Sequence, residues 1–501
     1  MKISWYWLIP IALFVLQAIY TFNSTNQIRY EELEESVVNP YWVANGYVQN
    51  GASGNLGWHF LLVGIYSIFG FDLFAAKYVK LFLYLLSMYC LAYMLRRFLT
   101  QKWAWLPLLT IGLSPTFLYF NTLQTVYGID ILYLPIVIFL VLRLRSGPSA
   151  SLTGVNPLGV VLLWSFAMFA WMSYPAFAYY LPALALWYVF KLIKLIKLIK
   201  LNKLIELIKY VALAVVSFLA PLVFAFAYIK NSNLLLYDPE ARSGIFRGAG
   251  FFDFSLNTFI TNLKFNLINL FGHSFGYYFE INKVEFGDFY PILALVFVMF
   301  AVFKLWNKKP VLRLPIVLSC SIFLINVMLA YFTVDPTPGM RRYTGSLAAI
   351  YILFVFGWYF AAVVVRKNNP LRWVYLFLPT LILVHQIFVY PQNLKHLKDA
   401  SRYRETVWFN TVDKPKMLHS QYVNTVQRED LKLICYGQNN NPLNCRYSEV
   451  YAAVYAACLW NRLTCHGIFG WDLKTGKFIP LTIELFNEYY FGRYGKEIIA
   501  T

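Results

Sequence analysis

The chain has 501 residues, of which 59% are hydrophobic and 13% are charged. Soluble domains carry about a quarter charged residues, so this composition excludes an ordinary soluble domain and indicates an integral membrane protein. The formal net charge of +19 also occurs in nucleic-acid-binding proteins, but much of the excess lies in short loops, where membrane topology and anionic lipid explain it. We therefore expect membrane lipids as partners, and no nucleic acid.

Apolar segments predict about eleven membrane-spanning helices, several of them shorter than the ~20 residues that a perpendicular helix needs. In chain order they are Trp5–Phe22, Phe74–Leu95, Trp103–Phe120, Gln124–Leu142, Pro157–Met172, Tyr174–Phe190, Leu207–Ile229, Phe289–Leu305, Leu314–Phe332, Tyr343–Val365 and Trp373–Tyr390. The first is too long for a cleaved signal peptide, and we expect it to remain. Gly57–Phe71 is apolar but short, which favours a juxtamembrane or re-entrant helix.

Lysine and arginine mark one set of connections between the predicted spans. They are Arg96, Arg97 and Lys102; Arg143 and Arg145; Lys191 through Lys209; Lys304, Lys308, Lys309 and Arg313; and Arg366, Lys367 and Arg372. Short basic loops stay in the cytoplasm. The pattern therefore predicts a multi-pass protein of the plasma (inner) membrane with a cytoplasmic N-terminus, an extracytoplasmic C-terminus, and two long outer loops at about Asn23–Trp58 and Asn231–Tyr290.

The predicted fold is all-α and polytopic, with a membrane domain over 1–391 and a small extracytoplasmic domain over 392–501. The tail from about Gln392 loses the long apolar runs and gains turn signals, which favours an α/β fold there. Four cysteines of the tail fit two local disulfides, Cys435–Cys445 and Cys458–Cys465, or a zinc site with His466; both remain open.

The lysine-rich run Lys191–Lys209 favours a helix at the cytosolic interface, with a repeat expansion of no specific role as the alternative.

An acidic run follows the first span and is the first candidate for chemistry. Glu31, Glu32, Glu34 and Glu35 supply four carboxylates within five positions, and their mutual repulsion favours a proton or a cation as partner. One interpretation is a general base or metal ligand that activates an acceptor group. The other is a solvated acidic helix start, because Glu is favourable in a first helical turn.

A single acid enters a predicted span near its outer end. Asp130 follows the polar residues Asn121, Gln124 and Thr125. A carboxylate inside a membrane costs on the order of 2.5–3.5 kcal/mol on insertion scales, so such residues normally face a cavity or a partner. The sequence leaves open whether Asp130 lines a cavity or makes a structural hydrogen bond to a neighbouring helix.

Two arginines open a late span on the predicted outer side. Arg341 and Arg342 follow Asp335 and its proline-rich loop, where the positive-inside rule disfavours them. Guanidinium groups bind phosphate oxygens in bidentate geometry, which favours a lipid phosphate; pairing with Asp335 or with headgroups is the alternative. The second outer loop, with Arg247 and several glycines and aromatics, is typical of a folded lid.

The order of these features resembles the GT-C superfamily of membrane glycosyltransferases, which includes protein O-mannosyltransferase-like and aminoarabinose-transferase-like enzymes. Members carry an acidic pair in the first outer loop, a juxtamembrane helix ending in a Leu-Phe-Gly turn, and an Asp entering a later span. The similar residues here are Glu31-Glu32, Ile68-Phe69-Gly70 and Asp130, with Leu113-Ser114-Pro115 and Arg342-Tyr343 matching two further motifs. The usual pair is Asp-Glu, and Glu34-Glu35 offers a second register. The likeness covers about Met1–Arg145 and, beyond it, only the topology and the Arg-Tyr.

The resemblance implies transfer of a sugar from a polyprenyl phosphate to a glycan, lipid or protein acceptor at the cell envelope, with inversion of configuration. It implies catalytic roles for Glu31, Glu32 and Glu34, and substrate-binding roles for Asp130, Arg341, Arg342, Tyr343, Arg247 and His59. No cofactor is assigned, and whether a divalent metal replaces part of the arginine role stays open. The alternatives are a flippase or transporter of lipid-linked precursors, which calls for charged pairs near mid-membrane and internal repeats, and a noncatalytic membrane scaffold.

Overall fold

The computed structural model describes residues 5–23, 34–44, 46–49, 55–72, 74–98, 101–126, 128–144, 156–174, 177, 180–196, 202–235, 255–260, 299–307, 316, 319–320, 353, 357–403, 469–472 and 477–480. The helices are α1 (Ile9–Asn23), α2 (Asn39–Ala44), α3 (Leu56–Phe69), α4 (Ala75–Phe98), α5 (Gln101–Gly112), α6 (Pro115–Thr122), α7 (Ile129–Arg143), α8 (Pro157–Ser173), α9 (Leu181–Ile196), α10 (Asn202–Asn231) and α11 (Pro370–Tyr403). A 3₁₀ turn (Trp5–Leu8) precedes α1. Two π-helical turns, Glu34–Val38 and Phe360–Val364, precede α2 and α11. Shorter helical pieces lie at 256–260, 299–307 and 357–359.

Apolar helices of membrane-spanning length support a helical membrane protein. Within the described ranges three helices are long and apolar enough to cross a bilayer: Trp5–Asn23, Ala75–Arg97 and Ile208–Asn231. Shorter apolar helices occur at Leu56–Phe69, Trp103–Gly112 and Pro157–Ser173. The number of eleven spans stays a prediction.

Helices α1 and α4 pack antiparallel. The Tyr6 hydroxyl donates to the carbonyl oxygen of Ala92 at 2.9 Å, whereas at the other end the rings of Phe22 and Tyr78 lie 6.3 Å apart. The end of α1 and the start of α4 are therefore neighbours. Because α3 lies in the connection between them, it adds no net crossing, in agreement with its interpretation as a juxtamembrane helix.

Two predicted spans are wrong in their extent. The segment Trp103–Phe120 breaks into α5 and α6, because Pro115 disfavours the α conformation at Ser114, whose ψ of 125° is extended. The segment Gln124–Leu142 becomes helical only from Ile129, since Gly128 adopts a left-handed φ of 74°.

The bundle has two chemically different ends. Arg97 donates to the carbonyl oxygen of Leu142 at 3.3 Å, and near the other ends of these helices Lys80 donates to the carbonyl oxygen of Phe120, which lies beside Gly128. Helices α4 and α7 therefore run parallel and carry Arg96, Arg97 and Arg143 to one end, which we call the basic end. The opposite end, which we call the loop end, holds the first loop, the start of α4 and the start of α7. This sorting agrees with the predicted grouping of these basic connections on one side.

The lysine-rich run is divided between two helices. It forms the last turns of α9 and the first turns of α10, and 197–201 lie outside the described residues. The Tyr188 hydroxyl donates to the carbonyl oxygen of Tyr210 at 3.1 Å and joins the two helices. Within the described residues the run is helical on both sides of 197–201, and its place at the cytosolic interface stays a prediction.

The two long loops meet at the loop end. Strand β1 (Tyr47–Gln49) of the first loop pairs in parallel with β2 (Asn233–Leu235) of the second, with Val48 opposite Leu234. The Tyr228 hydroxyl of α10 donates to the carbonyl oxygen of Val43, and the ring of Phe60 packs on that of Tyr228 at 4.9 Å. The described parts of both loops therefore share one end of the bundle, as predicted, while the membrane side that this end faces stays a prediction.

The C-terminal part begins with a long helix. Helix α11 has 34 residues and contacts α1, where the Tyr390 hydroxyl donates to the carbonyl oxygen of Leu16 at 2.7 Å. It continues to Tyr403, so the predicted domain boundary at 391/392 lies inside this helix. In the tail, β3 (Phe469–Asp472) pairs antiparallel with β4 (Lys477–Pro480). The four cysteines and His466 lie outside the described residues.

Candidate functional site

Buried polar side chains gather at the loop end. Of the twenty buried polar or charged side chains among the described residues, eleven lie there: Ser36, Asn39, His59, Lys77, Lys80, Asn121, Thr122, Gln124, Thr125, Asp130 and Ser173. Burying such groups in an apolar bundle is costly unless they are hydrogen-bonded. Their accumulation at one end therefore marks this end as the candidate functional site.

Glu35 is held by the side chains of two residues at the start of α3. Asn55, which directly precedes α3, and His59, one turn later, lie on the same face of that helix. The Asn55 amide donates to Oε1 and Oε2 of Glu35 at 3.0 and 3.2 Å, and Nε2 of His59 lies 3.2 Å from Oε2. His59 is fully buried, and its Nδ1 has no hydrogen-bond partner within the part of the chain that the structure describes. Glu35, the last residue of the acidic run, is therefore anchored on α3.

Ser36, the next residue, connects the same segment to α3 and to Gln124. The Tyr66 hydroxyl of α3 donates to the Ser36 carbonyl oxygen at 2.6 Å. Burial, and to a smaller extent the charge of Asp72, raises the pKa of Tyr66 well above its usual value, so the hydroxyl stays protonated and can donate. The Ser36 hydroxyl donates to Oε1 of Gln124 at 2.9 Å. The acidic run is thereby joined to the segment that precedes α7.

Asp130 lies in the first turn of α7 and is buried. Its Oδ2 accepts a hydrogen bond of 2.9 Å from the hydroxyl of Tyr180, which directly precedes α9. Gly128 permits the sharp entry into α7, because a Cβ at this position would lie 2.4 Å from Cβ of Phe120. Of the two interpretations left open for Asp130, the structural hydrogen bond to a neighbouring segment is present.

Two lysines of α4 are also buried here. Lys77 and Lys80 lie in the first two turns of the helix and are 1% and 0% exposed. Nζ of Lys80 donates to the carbonyl oxygen of Phe120 at 3.0 Å. Sequence reasoning did not select them as site residues. The signal that marks Arg341 and Arg342 also marks them, since they are basic residues at the start of an apolar helix on the predicted outer side.

The predicted site residues fall into two groups. His59 and Asp130 lie at the loop end, and Glu34 lies in the π-helical turn Glu34–Val38. The residues Glu31, Glu32, Arg247, Arg341, Arg342 and Tyr343 lie outside the described residues, so their meeting in one cavity stays a prediction. Among the side chains that the structure describes, no group of three or more His, Cys, Asp or Glu is placed to hold a metal ion, and a divalent metal stays an expectation.

The arrangement supplies acidic, basic and hydrogen-bonding groups at one end of the bundle, most of them buried. Such a set of groups suits the recognition of a polar group delivered from an apolar environment, because charges and dipoles act more strongly where water is excluded. No protein-family model matches the sequence, and no curated protein does either. The GT-C likeness therefore rests on the sequence motifs alone.

Proposed function

We propose that this protein is a membrane glycosyltransferase of GT-C type that moves a sugar from polyprenyl phosphate to an acceptor on the extracytoplasmic face. One observation carries the proposal: Glu35, the last residue of the acidic run, is anchored at the loop end by His59, and the neighbouring Ser36 bonds to Gln124 beside the start of α7. An acidic first loop packed against a juxtamembrane helix and a membrane-entering Asp is the arrangement that the motif order implies.

The reaction is a single displacement. A Glu of the first loop, Glu31 or Glu32 first and Glu34 next, takes the proton of the acceptor as its oxygen attacks the anomeric carbon. The bond between that carbon and the phosphate oxygen breaks, the electron pair leaves with the polyprenyl phosphate, and configuration at the carbon inverts. General-base help of this kind contributes about 10²–10⁴-fold. Both oxygens of Glu35 are engaged by Asn55 and His59, so Glu35 and His59 position the run.

Cationic and polar groups complete the proposed site. Arg341 and Arg342 stabilise the phosphate, whose negative charge grows as the bond breaks, with Tyr343 beside them and Arg247 in the covering loop. Asp130, held by Tyr180, orients the sugar. A sugar-sized gap of roughly 5–12 Å separates the catalytic carboxylate from the guanidinium groups, with hydrogen-bond reach at each end. If a divalent metal binds, it supplies part of the phosphate stabilisation otherwise given by Arg341 and Arg342.

A flippase or transporter of lipid-linked precursors is the competing class. It calls for charged groups near mid-membrane, where a moving substrate passes. The buried charges of the described residues lie instead in the first turns of α4 and α7. A site at a helix end suits chemistry on a group that stays at the membrane surface, which favours the transferase.

Donor turnover tests the proposal. The full chain is reconstituted in liposomes with synthetic polyprenyl phosphates that carry radiolabelled mannose, glucose or aminoarabinose, together with extracted cell-envelope material as acceptor. We expect label to leave the lipid phase with at least one donor and to appear in the acceptor fraction. The proposal fails if no donor loses label faster than in liposomes without the protein, or if intact donor only changes leaflet, which is the flippase result.

A further inference from the structure

The outer side of helix α3 carries no charge. Its sequence from Leu56 to Phe69 contains no Lys, Arg, Asp or Glu, and its histidine, His59, is fully buried. A helix that lies on a membrane surface presents a strongly charged or polar face to water. The composition of α3 therefore indicates that its outer side is not in contact with water.

One face of α3 is left uncovered by the rest of the described protein. Leu61, Gly64 and Ile68 are spaced by three and four residues and share this face, whereas His59 lies on the opposite one. Gly64 is exposed, Ile68 is 75% exposed, and Phe69 at the end of the helix is 82% exposed. We call Leu61, Gly64, Ile68 and Phe69 the outer face of α3.

The inner side of α3 packs against α10 below the end of that helix. Leu56 belongs to a buried cluster with Ala225 of α10, and Phe60 packs against this cluster. The Phe60 ring lies 5.6 Å from that of Phe224. Ala225 is five positions before Lys230, the first charged residue after the apolar part of α10, which corresponds to about 7.5 Å along the helix. Because α10 is apolar and long enough to cross a bilayer, α3 begins beside its membrane-embedded part.

An exposed serine of α3 satisfies its own hydrogen bond. The Ser67 hydroxyl donates to the carbonyl oxygen of Val63, one turn earlier in the same helix, at 2.8 Å. Serine makes this bond to its own helix as an alternative to a bond with water. In a bilayer core, where water is missing, polar groups must be satisfied internally. The contact therefore suits a helix that is surrounded by acyl chains.

The uncovered face lies close to the point where the chain enters a membrane-spanning helix. Phe69 is six positions before Ala75, where α4 begins, so the two residues are at most about 20 Å apart. Helix α4 is also apolar and long enough to cross a bilayer, and exposed apolar side chains follow along it, at Tyr78 and Phe82. Contiguous exposed apolar residues mark surfaces that bind a membrane or another protein. The nearness of a span favours the membrane.

We propose that the outer face of α3 is a lipid-binding surface that lies among the acyl chains of the leaflet at the loop end. The inference rests on composition and packing and is independent of the proposed transfer reaction. Its consequence concerns the contact between Glu35 and His59, because His59 directly precedes Phe60, which packs on the embedded part of α10. The contact therefore lies at the edge of the hydrocarbon region, and not in the water above it.

Photo-crosslinking in a bilayer tests the proposal. The photoreactive residue p-benzoylphenylalanine replaces Ile68 or Phe69 in the full chain, which is placed in nanodiscs of dioleoylphosphatidylcholine, irradiated and analysed by mass spectrometry. We expect adducts with lipid acyl chains at both positions. Asn231, an exposed polar residue directly after Lys230 at the same end of the bundle, is the control position and should give several-fold less lipid adduct. Thermal unfolding checks that the variants fold.

The wild-type chain provides a second measurement. Hydroxyl radicals generated in water should oxidise Phe69 in nanodiscs several-fold less than in the denatured chain, because acyl chains cover its ring. Oxidation at the rate of the denatured chain would overturn the proposal, and so would lipid adducts at Ile68 and Phe69 as scarce as at Asn231. Adducts that join both positions to another part of the chain would also overturn it, since protein would then cover this face.

Discussion

Oε2 of Glu35 lies 3.2 Å from Nε2 of His59 and joins the first loop to α3. The contact is enclosed on the side of His59, which is fully buried, and partly open on the side of Glu35. Glu35 is the last residue of the acidic run, so this contact fixes the end of the run against α3.

The effects of substituting Glu35 and His59 on the free energy of unfolding should be coupled. In a double-mutant cycle of Glu35→Gln and His59→Leu, we expect an interaction free energy of about 1.5–3 kcal/mol, the range for hydrogen bonds to charged groups. The measurement is the free energy of unfolding in detergent. A second cycle pairs Glu35→Gln with Ser67→Ala, whose hydroxyl bonds only to Val63 of its own helix among the described contacts. A coupling in this control as large as in the first cycle would contradict the anchor.

Removal of the Tyr180 hydroxyl should destabilise the protein more than removal of the hydroxyl of another buried tyrosine. Tyr180→Phe removes the donor to Asp130 and leaves a buried carboxylate less satisfied, which we expect to cost about 1–3 kcal/mol of unfolding free energy and to lower transfer activity. Tyr20→Phe is the control, since the buried Tyr20 hydroxyl makes no hydrogen bond within the described part of the chain. Thermal unfolding of the two variants compares them. Equal effects would show that the bond to Asp130 contributes nothing.

Gly128 should not tolerate a side chain. Gly128→Ala places a Cβ against Phe120 in a left-handed conformation, which costs about 1–2 kcal/mol for the backbone alone and displaces the start of α7 with Asp130. Gly64→Ala is the matched control, because nothing lies within 4 Å of its Cβ, and it should be neutral or stabilise α3 by about 0.5–1 kcal/mol. Unfolding free energies measure both, and a neutral Gly128→Ala would contradict the described turn.

Sequence reasoning succeeds where one local signal determines an element. Asn156 and Pro157 begin α8 where predicted, because the Asn156 side chain accepts from the Leu158 amide at 3.1 Å and Pro fits a first helical position. It fails where packing decides. The burial of Lys77 and Lys80 depends on neighbouring segments that come from other parts of the chain, and the pairing of Glu35 with His59 depends on α3 folding back beside the first loop.

The membrane side of the two ends can be measured with reporter fusions. Fusions after Arg145 and Lys209 should report the cytoplasm, because both positions belong to basic connections, and a fusion after Thr501 should report the outside. The readout pairs a reporter active only in the cytoplasm with one active only outside. An outside signal at Lys209 would reverse the predicted orientation and place the loop end in the cytoplasm.

Transfer by variants of the first loop tests the central claim most directly. Glu31→Gln and Glu32→Gln are made separately and assayed for movement of labelled sugar from polyprenyl phosphate to acceptor, with folding checked by thermal unfolding. If one of these carboxylates is the general base, one variant should lose about 10²–10⁴-fold in rate while it still folds and binds carrier, and the wild-type product should show inverted configuration. Wild-type rates in both variants and in Glu34→Gln, or retention of configuration, would contradict the account.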